Sequence, residues 1–311
     1  MNYWFHLAIY FTIFATVAIS LNIVTGYCGL FTLAHAAYFA IGSYTFAIAS
    51  ANWGWSFLPA AGLGVVVAVI LSLALSVPSW RFRGDNFLLM SLAVQAMLAG
   101  IFQNWWSTGS TPGSWTNLTN GASGMSVRAS EVFGLSLREP GHLLLLGIGI
   151  LLVCAFITRV LLSSPFGRLL VCMRDDELAL RGLGKNVRLA RVQALAIASG
   201  IVALAGALYA AYARFVDPQV ASLDQSILML AVVLIGGTGN FRGPLVGAVC
   251  LIAIEEGIRF LPFIEAGAGT TARVIGGGDV VASLRIMAYG LLLVLLMHFR
   301  PQGIAGRYRT A

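Results

Sequence analysis

Long apolar runs alternate with short polar stretches along the whole chain, at about 6–24, 30–50, 58–78, 86–104, 142–162, 191–213, 223–236, 244–262 and 283–299. Most are close to the roughly 20 residues a helix needs to cross the hydrocarbon of a bilayer. The pattern predicts an all-α polytopic integral membrane protein with about nine hydrophobic segments, some of them short or broken. The run at 223–236 would make a helix of only about 21 Å, and it leads straight into GGTGNFRGP at 236–244, which cannot continue as helix. The second run opens on Gly26-Tyr27-Cys28-Gly29 and carries Thr32, His35 and Tyr38 before Gly42. Short, glycine-interrupted segments point to a transporter's pathway. Thr32, His35, Tyr38, Gly236, Gly237 and Gly239 are therefore the candidate translocation-path residues.

Composition agrees with the pattern. Hydrophobic residues fill 59% of the 311 positions and charged residues only 10%, against about 25% charged in a soluble domain. The net charge of +7 is no nucleic-acid signal, because the basic residues lie in loops beside the apolar runs. Cys28, Cys154, Cys172 and Cys250 are scattered, without CxxC or neighbouring His at ligand spacing, so neither a metal site nor a disulfide framework is expected. No cofactor is implied. The first thirty residues lack the charged n-region and cleavage pattern of a signal peptide and are expected to be a retained first span.

The charges are unevenly placed. Residues 163–191 hold nine of the thirty-one: Arg168, Arg174, Asp175, Asp176, Glu177, Arg181, Lys185, Arg188 and Arg191. If this segment is cytoplasmic and the runs alternate sides, thirteen Lys and Arg fall on the cytoplasmic side and six on the other. That bias satisfies the positive-inside rule, with the N-terminus outside and the C-terminus inside. The topology leaves no Asp or Glu central in any span, which weighs against ion coupling. The loop at about 105–141 becomes external, a short cap with Trp105, Trp106 and Trp115 suited to the interfacial belt. The whole chain, 1–311, is expected to form a single transmembrane domain.

Within 163–191, Ser164-Pro165 is a helix start with a polar cap and Pro at the first position. Asp175, Asp176 and Glu177 favour a second short helix, and Gly182 and Gly184 its end. Two readings stand side by side: a helix along the membrane face that docks in a partner, or a basic loop at the lipid headgroups. A nucleotide-binding P-loop is not present, because ALRGLGKN at 179–186 lacks the first Gly and the final Ser or Thr. His35 suits either helix packing or pathway lining. Glu255 and Arg259 are spaced for an ion pair. Ala203, Ala207 and Ala211, and likewise Gly243 and Gly247, form ladders of small residues that let helices approach closely.

Taken together, several stretches resemble the permease subunits of branched-chain amino-acid ABC importers, of the LivM type. They are LNIVTGYCGLFTLAHAAYFAIGSYT at 21–45, RFRGDNFLLMSLA at 81–93, LTNGASGMS at 118–126, SPFGRLLVCMRDDELALRGLGKNV at 164–187, VVLIGGTGNFRGPLVGA at 232–248 and FRPQGIAG at 299–306. The chain departs from the family pattern at Leu178, commonly small or branched, and at Leu180, often Ala. The resemblance implies two halves packed around a pathway in a bacterial inner membrane. It also implies two cytoplasmic ATPase subunits, a second permease that is a paralogue, and a periplasmic or external solute-binding protein. Arg174, Asp176, Glu177, Arg181, Gly182 and Gly184 then belong to the ATPase-coupling segment. The expected solutes are branched-chain or related amino acids, with urea or short amides as the alternative. An ion-coupled secondary carrier and a membrane enzyme are the competing classes.

Overall fold

A computed structural model describes residues 3–259 apart from 77–81, 83, 129–130 and 133–134, and beyond them 287, 290, 291, 294, 298 and 303–305. Eight of the nine apolar runs are helices: α1 (Tyr3–Asn22), α2 (His35–Asn52), α3 (Phe57–Ser76), α4 (Asp85–Asn104), α5 (Pro140–Ser163), α8 (Val187–Ala213), α9 (Leu223–Gly236) and α10 (Gly243–Arg259). The ninth run, 283–299, lies outside the described residues except for five positions, all helical. Between α5 and α8 sit two short helices, α6 (Pro165–Asp175) and α7 (Glu177–Gly182). Among the described residues strand is confined to two-residue pieces, β1 (Met125–Ser126), β2 (Glu131–Val132), β3 (Leu135–Ser136) and β4 (Phe215–Val216). The chain is thus an all-α, multi-pass membrane protein, as the apolar pattern predicts.

Five helical stretches among the described residues are long and apolar enough to cross a membrane: 3–27, 57–74, 86–104, 140–163 and 187–213. Burial separates them. The first and last are mostly inside the protein, whereas α3, α4 and α5 turn much of their surface outward. The outward side chains of α3, and of α5 as far as Ile157, are apolar, among them Val66, Ile70, Leu152 and Phe156, which suits contact with lipid tails.

At the centre α8 packs along α1, α2 and α3. Small residues set the spacing. A Cβ on Gly42 would overlap the backbone of Ala203, and one on Gly206 would overlap the Phe39 carbonyl. Gly42 and Gly206, with Ala203 of the small-residue ladder, therefore let α2 and α8 touch backbone to backbone, since lipid offers no hydrophobic drive and close packing must hold the helices. Gly243 and Gly247 do the same for α10 against Gly236 and Val232 of α9.

The ends of the helices fall into two groups. At one end, β1 pairs antiparallel with β4, Val127 donates to the Arg214 carbonyl at 2.9 Å and Asn52 donates to Gly113 at 2.8 Å. This end holds the 105–139 loop, where Trp106 and Trp115 stay exposed. Tyr3 and Glu256 are hydrogen-bonded, as are His6 and Tyr212, so the start of α1 joins it. The opposite end gathers the close of α1, the α6–α7 pair, the turn after α9 and residues 303–305. That grouping is what eight runs crossing alternately require. The Arg259 side chain, and with it the expected pair to Glu255, lies outside the described residues.

Candidate functional site

Two breaks in the helical pattern define the candidate site. The first follows α1, whose last turn, Ile23–Tyr27, is a π-helix; such turns are rare and recur at functional sites. The chain then runs non-helically to Ala34 before α2 begins. The second is the turn at 237–242, where Gly237 and Gly239 take φ of +106° and +76°, values that a Cβ would strain.

The two breaks are joined to each other. The Asn22 side chain donates to the Asn240 carbonyl at 3.0 Å and accepts from the Gly239 amide at 3.0 Å. A Cβ on Gly26 would collide with both Asn22 and Gly239. Asn240 in turn donates to the Ala305 carbonyl at 2.8 Å, and the amides of Ile304 and Ala305 donate to Ile235 and Gly236, each at 3.0 Å. Three segments far apart in sequence thereby meet at one end of the bundle.

Arg174, in the last turn of α6, enters this knot. Its Nη1 donates to the Gly26 carbonyl at 2.6 Å, its side-chain stem lies against Gly29, and Nη1 would be 2.8 Å from a Cβ on Gly239. The charged helix pair is therefore bonded to the first break through one guanidinium that also lies against the second.

Local sequence explains the helix pair. The Ser164 hydroxyl accepts from the Phe166 amide at 3.2 Å with Pro165 at the first helical position. Asp176 caps α7, its carboxylate accepting from the Leu178 and Ala179 amides at 2.8 and 3.0 Å. Gly184 closes it at φ +73°. Glu177 points inward: one carboxylate oxygen lies 2.6 Å from Arg181 Nη2 and the other 3.4 Å from Arg191 Nη2. The Arg191 side chain is 5% exposed and also donates to the Phe82 carbonyl at 3.3 Å. Glu177 thus fastens α7 to the start of α8 through Arg191, while Arg181 pairs with it inside α7. The large apolar side chains that α7 and its closing turn present outward are Leu178 and Leu183, with Gly182 and Gly184 beside them.

Thr32, His35 and Tyr38 are all buried. Thr32 accepts from the Ala34 amide at 3.2 Å. Ser20 gives its hydroxyl proton to the Ala198 carbonyl at 2.6 Å, so the 2.9 Å contact with His35 has the ring Nε2–H as donor. His35 therefore ties α2 to α1, and through Ser20 to α8.

A second junction lies deeper, and residue spacing gave no sign of it. Gln95, midway along the 20-residue α4 and 1% exposed, accepts from the Ala37 amide at 2.9 Å and donates to the carbonyls of Ala221 and Ser222 at 2.5 and 3.3 Å. Ser226 accepts from the Ala36 amide at 3.4 Å, and Ser91 from Leu33 at 2.9 Å. The N-termini of α2 and α9 thus meet each other near the level of mid-α4. Side chains occupy the first-turn amides that a helix leaves unpaired. Asp224, in the first turn of α9, stands near that level, although hydropathy places it at the edge of a run. The signal was the shortness of the run, which forces one of its ends inside.

The model of the family described as "Branched-chain amino acid transport system / permease component" matches residues 3–297. The high-affinity branched-chain amino acid transport system permease protein LivM of Escherichia coli (strain K12) is 28% identical over 94% of this chain and 67% of its own length. A probable branched-chain amino acid transport permease protein LivM of Methanocaldococcus jannaschii is 29% identical over 49% of this chain and 43% of its own. The autoinducer 2 import system permease protein LsrC of Salmonella typhi is 26% identical over 63% and 56%. No solved structure matches the chain significantly. The family match covers both breaks, the α6–α7 pair and the Gln95 junction, and places the chain among the permease components of branched-chain amino acid transport systems.

Proposed function

We propose that this chain is a membrane-spanning permease subunit of an ATP-driven importer that moves branched-chain or related amino acids into the cytoplasm. It works with two cytoplasmic ATPase subunits, a second permease that is a paralogue, and an external solute-binding protein, in a bacterial inner membrane. The charge bias supports an orientation with α6–α7 inside and the 105–139 loop outside. The chain itself carries no nucleotide chemistry in this reading and acts as the transport subunit.

The observation that carries the proposal is the Arg174 bond to Gly26. An ATPase seated on Leu178 and Leu183 would grip α7, which Glu177 fastens to α8. Movement of α6 would then pull on the π-turn after α1 and on the Gly237–Gly239 turn together. Both are irregular segments, and irregular backbone changes shape at lower cost than a packed helix. ATP-driven closure of the ATPase pair would so bias the spans between outward and inward states, in proportion to its differential affinity for the two.

The test is uptake of labelled leucine into proteoliposomes holding the purified complex, with and without ATP, and competition by isoleucine, valine, urea and short amides. Uptake that needs ATP, the binding protein and the ATPase partner supports the proposal. Uptake by this chain alone under an ion gradient would identify a secondary carrier instead.

A further inference from the structure

Asp224 is exposed and stands between Leu223 and Ile227, which are exposed too. Its depth follows from two measures. The N-cap of α9, Ser222, is hydrogen-bonded to Gln95 at the midpoint of α4. Counting from the other side, α9 has 14 residues, about 21 Å, and its far end reaches the level where α1 closes. Asp224 therefore sits inside a hydrocarbon layer of about 30 Å, in the half nearer the 105–139 loop. It forms no ion pair among the described residues.

An exposed carboxylate at that depth cannot face lipid without a large penalty, and intramembrane ionisable groups turn instead to water-filled cavities. The contrast within the molecule is direct, because the outward faces of α3 and α5 carry aliphatic and aromatic side chains there. Two exposed aliphatic side chains beside one carboxylate match a zwitterionic solute that carries an ammonium group next to a hydrocarbon side chain.

We infer that the first turn of α9 lines the translocation pathway, with Asp224 meeting the ammonium group of the passing amino acid and Leu223 and Ile227 its apolar part. The inference deepens the importer reading by naming a solute-facing residue, and it rests on that reading for the solute.

Two measurements test it on the reconstituted complex. In the first, the Asp224→Cys variant is treated with a charged, membrane-impermeant thiol reagent or a hydrophobic maleimide. The wild-type chain, with Cys172 and Cys250, sets the background. Labelling by the impermeant reagent is expected; labelling by the maleimide alone places the residue in lipid and overturns the inference. In the second, leucine uptake is compared with that of its 2-hydroxy acid counterpart. Asp224→Asn is expected to lower leucine kcat/KM at least tenfold, to narrow the preference for leucine over the hydroxy acid, and to be rescued in part by Asp224→Glu. Unchanged leucine uptake by Asp224→Asn overturns the assignment. If Asp224→Asn does not assemble, Asp224→Glu and the labelling decide. Failure of the importer reading shows separately, as absent ATP-dependent uptake by the wild-type complex while residue 224 is still labelled.

Discussion

Arg174 donates to the carbonyl of Gly26 at 2.6 Å although 148 positions separate them. The bond joins a solvent-side helix to the irregular end of the first span, where a backbone carbonyl of the π-turn has no helical partner to lose. A hydrogen bond to a charged group contributes about 1.5–3 kcal/mol. Replacing Arg174 by Ala should therefore loosen the coupling of α6 to the span by roughly 10- to 100-fold. In proteoliposomes, uptake should fall by at least tenfold while ATP hydrolysis continues. A parallel fall of both activities would instead mean that the complex no longer assembles.

Glu177 and Leu178 are neighbours with opposite duties. Glu177 holds Arg181 and the buried Arg191, so Glu177→Lys would set a third cation beside two guanidiniums that have lost their counter-charge. Uptake should stop, ATP hydrolysis should lose its dependence on solute, and membrane insertion should be intact. Leu178→Asp combined with Leu183→Asp alters only exposed positions. That pair should release the ATPase during co-purification and leave the thermal transition of the isolated chain within about 0.5 kcal/mol of its original stability.

Gln95 satisfies groups on two other elements at once. Gln95→Leu keeps the volume but leaves the Ala37 amide and the Ala221 carbonyl without partners inside the bilayer. Each buried unsatisfied group costs about 1–3 kcal/mol, so a loss of about 2–6 kcal/mol in detergent is expected. Gln95→Glu keeps the acceptor for Ala37 and loses both donors, and should be at least as unstable by the same thermal measurement.

Gly42 has no room for a side chain. A methyl group there would enter the Ala203 backbone and push α2 from α8, the central pair of the bundle. Overpacking of this kind typically costs about 1–3 kcal/mol, and backbone contact on the facing helix leaves little room to relax. Gly42→Ala should lower the yield of folded protein in membranes, and Gly42→Val should abolish it. Gly62 has open space around its Cβ position, so Gly62→Ala serves as the tolerated control.

The sequence was most informative where the cause is short-range. The caps of α6 and α7 depend on Ser164 and Asp176 reaching amides two or three residues away, a distance over which side-chain chemistry predicts geometry. The small-residue ladder on α8 likewise announced a close approach, because alanines four apart share one face. Sequence could not supply the partner helix, since α2 finds α8 across more than 150 residues of chain.

The run pattern, the charge bias and the two glycine-rich breaks were determined by the sequence alone, because water and lipid sort residues by polarity whatever the fold. Tertiary structure decided what those features do. It turned Glu177 inward and Leu178 outward, gave His35 to Ser20, and brought Gly26, Arg174 and Gly239 into one knot. It also carried the start of α9 down to Gln95, so that a carboxylate placed by hydropathy at the edge of a run stands level with the middle of α4. The physical reason is the same throughout: hydropathy reports how much chain is apolar, whereas depth and direction are set by hydrogen bonds and close contacts between segments distant in sequence.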